Sequence, residues 1–170
     1  MIKKIRRTKR RNISIVMYTI FCDMDGVIVD FERGYKELTG YYTKNHPDNN
    51  SFWEPVDAAG PAFWANLPWM PDGQELWRYI KKYKPYILSS PSRSQTSRVG
   101  KEAWLKMNLQ NSYKKAYFYP RNQKQLFSGP NKILIDDLSN TIQEWNNGGG
   151  IGILHTSAAS TIKELKKLGL

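Results

Sequence analysis

Along the chain, apolar runs of strand length alternate with segments whose apolar residues recur at helical spacing. Residues 18–22 form the first such run, and residues 30–38 predict a helix that Gly40 ends. Tyr86-Ile87-Leu88 predicts a second strand, closed by Ser89-Ser90-Pro91, and the helix after it has Val99, Ala103, Trp104 and Met107 on one face. A third strand is expected over residues 116–119, and Ile133-Leu134-Ile135 is the clearest strand of all, running into Asp136-Asp137. Ser139 is placed to cap the next helix, Gly148-Gly149-Gly150 breaks it, and residues 151–154 predict a last strand before an amphipathic helix carrying Ile162, Leu165 and Leu168. Strands and helices in alternation predict an α/β fold, a Rossmann-like parallel sheet flanked by helices.

One stretch breaks the pattern. Residues 41–71 have neither period and set Pro47, Pro55, Pro61 and Pro68 among Phe52, Trp53, Phe63, Trp64 and Trp69. That predicts a small cap with its own apolar cluster, inserted after the first strand over about residues 32–71. Asp72, with Glu75 three residues later, predicts a helix start whose side chains satisfy free backbone amides, and Leu76, Trp77 and Ile80 give that helix a core face.

Composition supports one folded unit of 170 residues, 40% hydrophobic and 13% aromatic, with no repeat and no low-complexity tract. The net charge of +11 is lopsided, because Lys3, Lys4, Arg6, Arg7, Lys9, Arg10 and Arg11 supply seven of it. Residues 1–16 are therefore expected to be a basic, disordered leader ahead of a folded domain at 17–170, with Met17 a candidate natural start. Nucleic acid is an expected partner only through that arm. The apolar stretch after it runs straight into aspartates without a cleavage site, so a buried strand is expected rather than a signal peptide, and no stretch is apolar enough to span a membrane. Cys22 is the only cysteine, which excludes an intrachain disulfide and fits a reducing cytoplasm.

Three predicted strands end in polar residues: Asp23 after Cys22, Ser89 after Leu88, and Asp136 after Ile135. In an open parallel sheet these ends share one edge, where ligands bind. Asp23, Asp25, Asp136 and Asp137 would then meet in one site, and two such charges about 4 Å apart repel by about 4 kcal/mol at an effective dielectric of 20. A cation relieves that repulsion, and all-oxygen ligation suits Mg2+. Phosphate monoester hydrolysis needs covalent and electrostatic help together. Asp23 is placed to attack phosphorus, Asp25 to protonate the leaving oxygen and then activate water, and Ser89 to bind a phosphoryl oxygen, while a lysine offsets the growing charge. Each piece alone is ordinary: Asp-Gly is a common turn, Ser-Ser-Pro a common loop, and Asp136-Asp137 a common helix start. Their joint order along one sheet edge is what carries the reading.

Phe21-Cys22-Asp23-Met24-Asp25-Gly26-Val27, Ile87-Leu88-Ser89-Ser90-Pro91 and Ile133-Leu134-Ile135-Asp136-Asp137 together resemble the motif series of haloacid dehalogenase (HAD) superfamily phosphatases. Asp-Met-Asp-Gly-Val-x-x-Asp-Phe-Glu at residues 23–32 further resembles the 5'(3')-deoxyribonucleotidases, including bacteriophage forms. The resemblance implies Asp23 as nucleophile, Asp25 as acid/base with its backbone carbonyl on Mg2+, Asp136 and Asp137 holding the metal, and Ser89 and Ser90 binding phosphate. It also implies a phosphate-binding lysine shortly before the last acidic strand. Lys132 adjoins that strand and would point away from its far end, so Lys124, in a loop that can fold over the site, is chosen. Phe31 and the Phe52-Trp53 pair match aromatics that such enzymes set against the base, with Trp64 and Trp69 as further candidates; Arg93 and Arg121 are candidate phosphate contacts. His46 and His155 lack metal-ligand spacing. The expected substrate is a nucleoside monophosphate, the exposed cap is a candidate homodimer surface, and the location is cytoplasmic, that of the host if a phage encodes the chain.

Overall fold

Strands that are apolar at successive positions have two faces to bury, so they need cover on both sides. The computed structural model, which describes residues 16–170, supplies it with a five-stranded, wholly parallel sheet. The strands are β1 (Thr19–Cys22), β2 (Tyr86–Ser89), β3 (Ala116–Phe118), β4 (Lys132–Asp136) and β5 (Ile151–Leu154), in the order β3-β2-β1-β4-β5. The helices are α1 (Phe31–Thr39), α2 (Glu54–Ala59), α3 (Pro61–Ala65), α4 (Gly73–Ile80), α5 (Gln95–Asn108), α6 (Ser139–Asn147) and α7 (Ala158–Lys167). Apart from Val16, the basic leader lies outside the described residues. Among the described residues no helix is long and apolar enough to cross a membrane.

Alternate strand residues divide between two cores. Ile20, Cys22, Ile87, Ile133 and Ile135 pack with Leu76 and Ile80 of α4, Trp104 and Leu105 of α5, and Leu165 of α7. Phe21, Leu88 and Leu134 pack with Ile142 and Trp145 of α6 on the other side. The fold is thus the α/β, Rossmann-like arrangement that the alternating pattern predicts.

Several local expectations are corrected. Val99 and Met107 are exposed, at 56% and 57%, and α5 instead buries Ser97, Gly100, Lys101, Trp104 and Leu105. Gly100 sits against α3, where a Cβ would come within 2.3 Å of the Pro61 carbonyl oxygen and 2.4 Å of Trp64 Cβ, so close approach to the insertion, not apolar area, sets this face. Asp72 does not cap its own helix. Its Oδ2 accepts from the Ala158 amide at 2.6 Å, at the start of α7, which ties α4 to α7. Ser139 lies inside α6, whose cap position is Leu138; Asp136 Oδ1 takes the Leu138 amide at 3.0 Å.

The aperiodic stretch contains the short helices α2 and α3, too short for a period to show. Its rings stack with the first helix: Phe31 lies against Tyr35 and Trp64, and Tyr35 against Phe52. The chain returns to the sheet through paired hydrogen bonds, Asp30 N to the Pro68 carbonyl and Met70 N to the Ile28 carbonyl, at 2.8 and 3.0 Å.

Candidate active site

Parallel register decides which residues meet. Cys22 is opposite Ile135 on β4 and Ile87 on β2, so the residues that follow these strands emerge side by side. The Asp23 amide donates to the Ile135 carbonyl at 3.0 Å, carrying the pairing one residue past β1. Asp23, Asp136 and Asp137 can each present a carboxylate oxygen, all three within 4.8 Å of one another. Gly26 turns the chain beneath them at φ +75, and a Cβ there would lie 2.2 Å from Asp137 Oδ2. The left-handed backbone conformation is what requires glycine here, and a side chain would also displace the Asp137 carboxylate.

Lys124, in the 3-10 stretch Arg121–Phe127, is buried with its Nζ 3.0 Å from Asp23 Oδ2 and 2.7 Å from Asp136 Oδ2. Burial works against its charge, but the two carboxylates outweigh it and hold its pKa above the ordinary lysine value. Lys132 instead donates to the Phe127 carbonyl at 2.9 Å. Asp136 is pushed up to about 7, by burial first and by the charge of Asp23 next, with Lys124 opposing. Asp137 is the open member, yet the cleft walls strip water from its carboxylate and Asp23 adds its charge, pushing it up to about 6. Three crowded carboxylates that offer oxygen donors only, with Asp136 and Asp137 reluctant to ionise without a cation, make a fitting seat for Mg2+.

A cavity of about 580 Å³ opens over this edge, within the range of small-ligand sites. Asp23, Asp25, Lys124 and Asp137 line it on the sheet side, together with Ser90 and Arg121. Phe31, Phe52, Trp53 and Trp64 line it on the insertion side. Trp69 does not; its ring packs tilted against that of Trp104 and it donates to Asn108 Oδ1 at 3.0 Å, anchoring the insertion to α5. Arg93 is likewise absent from the lining. His46 binds the Asp48 carbonyl oxygen, and buried His155 pairs with Thr161 Oγ1.

The two serines part company. Ser90 faces the cavity with a sheltered hydroxyl that has no partner, whereas Ser89 is fully buried and stands one layer behind. Its Oγ accepts at 3.0 Å from Lys101 Nζ, which also pairs with Asp25 Oδ2. Asp25 has its pKa raised, by desolvation first, with Lys101 opposing and Asp23 adding. Its side chain is 32% exposed, but Oδ1 is sheltered and unpartnered. Lys101 is absent from the motif reading. The available signal was positional: it falls at helical spacing with Ser97, Gly100, Trp104 and Leu105, a charge in the middle of a buried stripe.

Solved structures of hydrolases share this fold. The chain is similar to a hydrolase from Streptococcus pneumoniae TIGR4, with TM-score 0.57 and 12% identity over 89% of this chain and 100% of that one. It is also similar to a HAD-superfamily hydrolase from Ehrlichia chaffeensis, with TM-score 0.53 and 9% identity over 92% of this chain and 100% of the other. A dehalogenase solved as an intermediate complex matches with TM-score 0.53 and 10% identity over 81% of this chain and 84% of that one. At these identities the likeness is one of fold. The sequence matches no family profile and no curated protein sequence.

Proposed function

We propose that this chain is a magnesium-dependent phosphomonoesterase that hydrolyses nucleoside monophosphates, of the 5'(3')-deoxyribonucleotidase kind. The observation that carries the proposal is that a single cavity holds Asp23, Asp25 and Lys124 on one wall and four aromatic rings on the other. A phosphate on the first wall leaves its esterified group facing the second, and flat rings suit a base.

Asp23, Asp136, Asp137 and the Asp25 carbonyl would hold Mg2+, which supplies charge neutralisation for the phosphoryl group. Asp23 attacks phosphorus, and the bond from phosphorus to the ester oxygen breaks as the aspartyl-phosphate forms. Asp25 gives its proton to the departing oxygen, a role that suits a carboxyl with a raised pKa. It then takes a proton from the water that attacks phosphorus, which frees Asp23 and releases inorganic phosphate. Lys124 and the unpartnered Ser90 hydroxyl bind phosphoryl oxygens, and Arg121 lines the same wall. Buried Ser89 contributes through what it holds.

The test is phosphate release by the purified protein with Mg2+ from a panel of ribo- and deoxyribonucleoside 5'- and 3'-monophosphates. Glycerol phosphate and a 3'-phosphorylated oligonucleotide serve as comparators. Preference for one or more nucleotides over glycerol phosphate is expected. Turnover of the oligonucleotide but of no free nucleotide would move the substrate to nucleic-acid ends. Inertness towards every ester would sink the enzyme reading altogether.

A further inference from the structure

Two lysines are buried among the described residues, and only Lys124 lines the cavity. Lys101 is 1% exposed, two turns into α5, and is not needed to fill space, since an apolar chain there would extend the buried stripe at no electrostatic cost. Its ammonium has three hydrogens and three acceptors: Asp25 Oδ2, Ser89 Oγ at 3.0 Å and the Ser90 carbonyl oxygen at 3.1 Å. The indole of Trp64, from the insertion, lies under it at 5.3 Å. Every acceptor belongs to a residue at the end of β1 or β2. Lys124 gathers Asp23 and Asp136, so each lysine holds different carboxylates of the site and Asp137 pairs with neither.

We propose that Lys101 is a positioning residue that acts through Asp25. By holding Oδ2 against β2, it fixes the rotamer of the carboxyl and leaves Oδ1, sheltered and unpartnered, as the oxygen that exchanges a proton with the leaving group and with water. Ser89 completes the clamp from the strand end. The inference rests on the phosphatase reading above, in which Asp25 handles both protons.

The experiment compares wild type, Lys101→Met, Asp25→Asn and the double variant on a nucleoside monophosphate and on p-nitrophenyl phosphate, whose leaving group departs without a proton. In Lys101→Met, nucleotide turnover falls by about 10²-fold or more, the scale of lost acid/base catalysis. With p-nitrophenyl phosphate the same variant releases one equivalent of p-nitrophenolate in a burst and then slows, because phosphorylation of Asp23 proceeds while water activation does not. In the Asp25→Asn background, Lys101→Met changes the burst rate by less than about threefold, since its route of action is already gone. The double variant leaves no unpaired buried charge, so it reports even if Lys101→Met fails to fold. A larger fall in that background overturns the proposal, as does a Lys101→Met enzyme with equal losses on both esters and no burst. Wild-type protein inert towards both esters would instead sink the phosphatase reading.

Discussion

Asp23, Asp136 and Asp137 hang from strand ends whose register is fixed by hydrogen bonds, and Lys124 ties two of them together at 3.0 and 2.7 Å. Across the cavity, Phe31 at the start of α1 and Phe52, Trp53 and Trp64 of the insertion meet through ring contacts, with centroids 4.9 to 6.5 Å apart from one ring to the next. Directional bonds admit one arrangement, whereas apolar packing tolerates small shifts and fits more than one shape. In the function proposed above, the sheet wall carries the reaction and the ring wall chooses among substrates. Changes to the first should slow every ester alike, and changes to the second should alter preference.

The sharpest way to break this division is Asp23→Asn, which keeps the size of the side chain and removes the attacking oxygen anion. Turnover of nucleotide and of glycerol phosphate should both fall by about 10⁴-fold or more, with an unchanged circular dichroism spectrum. Retained turnover of either ester would place the nucleophile elsewhere. Next in size, Lys124→Met should cost about 10²- to 10³-fold on both esters, the scale of losing one preorganised charge at the phosphoryl group. Steady-state kinetics on the pair of substrates measures it, and a loss confined to nucleotides would move Lys124 to the recognition wall.

What the sequence made legible follows the same division. Strand-end residues could be placed because apolar runs mark strands and parallel sheets bring their ends to one edge, so Asp23, Asp25, Asp136 and Asp137 needed no coordinates to be grouped. Position relative to the strand separates Lys124 from Lys132: Lys124 reaches Asp23 and Asp136, whereas Lys132 donates to the Phe127 carbonyl. Face assignment failed on α5, where apolar Val99 and Met107 face water while Ser97 and Lys101 are buried. Hydrophobicity marks a core face only if the core is apolar, and here the helix packs against a charged site and a close-set insertion. Asp72 shows a related limit: a capping signal tells that an amide is to be satisfied, not that it belongs to the same helix. Ser89 and Ser90, adjacent in sequence, alternate across the end of β2, and only coordinates show which of them turns to the cavity.

Trp53→Ala tests the ring wall. The side chain is 41% exposed, so its loss removes a stacking surface without emptying the core. Stacking is worth about 1–3 kcal/mol per base, so kcat/KM for nucleotides should fall by roughly 5- to 150-fold, mostly through KM. Glycerol phosphate, which has no ring, should be hydrolysed as before. Equal losses on both would show that the insertion shapes the reaction as well as the choice of substrate.

The smallest expected effect concerns protons and metal competing for the sheet wall. Asp136 and Asp137 stand at about 7 and about 6 in the fold, above the carboxylate value of about 4 in an unfolded chain. Raised values mean that the metal-free fold binds these protons more tightly than the unfolded chain does. As far as these groups decide it, its stability is therefore fullest below about pH 4, falls as pH rises past that value, and has lost their contribution once pH passes 6 and 7. Magnesium needs the deprotonated carboxylates, so its stabilisation should run the other way, slight at pH 5 and several degrees at pH 8. Thermal denaturation at the two pH values, with and without millimolar Mg2+, measures both slopes. Asp137→Asn should flatten the magnesium-dependent one, while Trp53→Ala should leave both unchanged. A magnesium shift of the same size at pH 5 and pH 8 would mean that the ion is held by something other than this carboxylate edge.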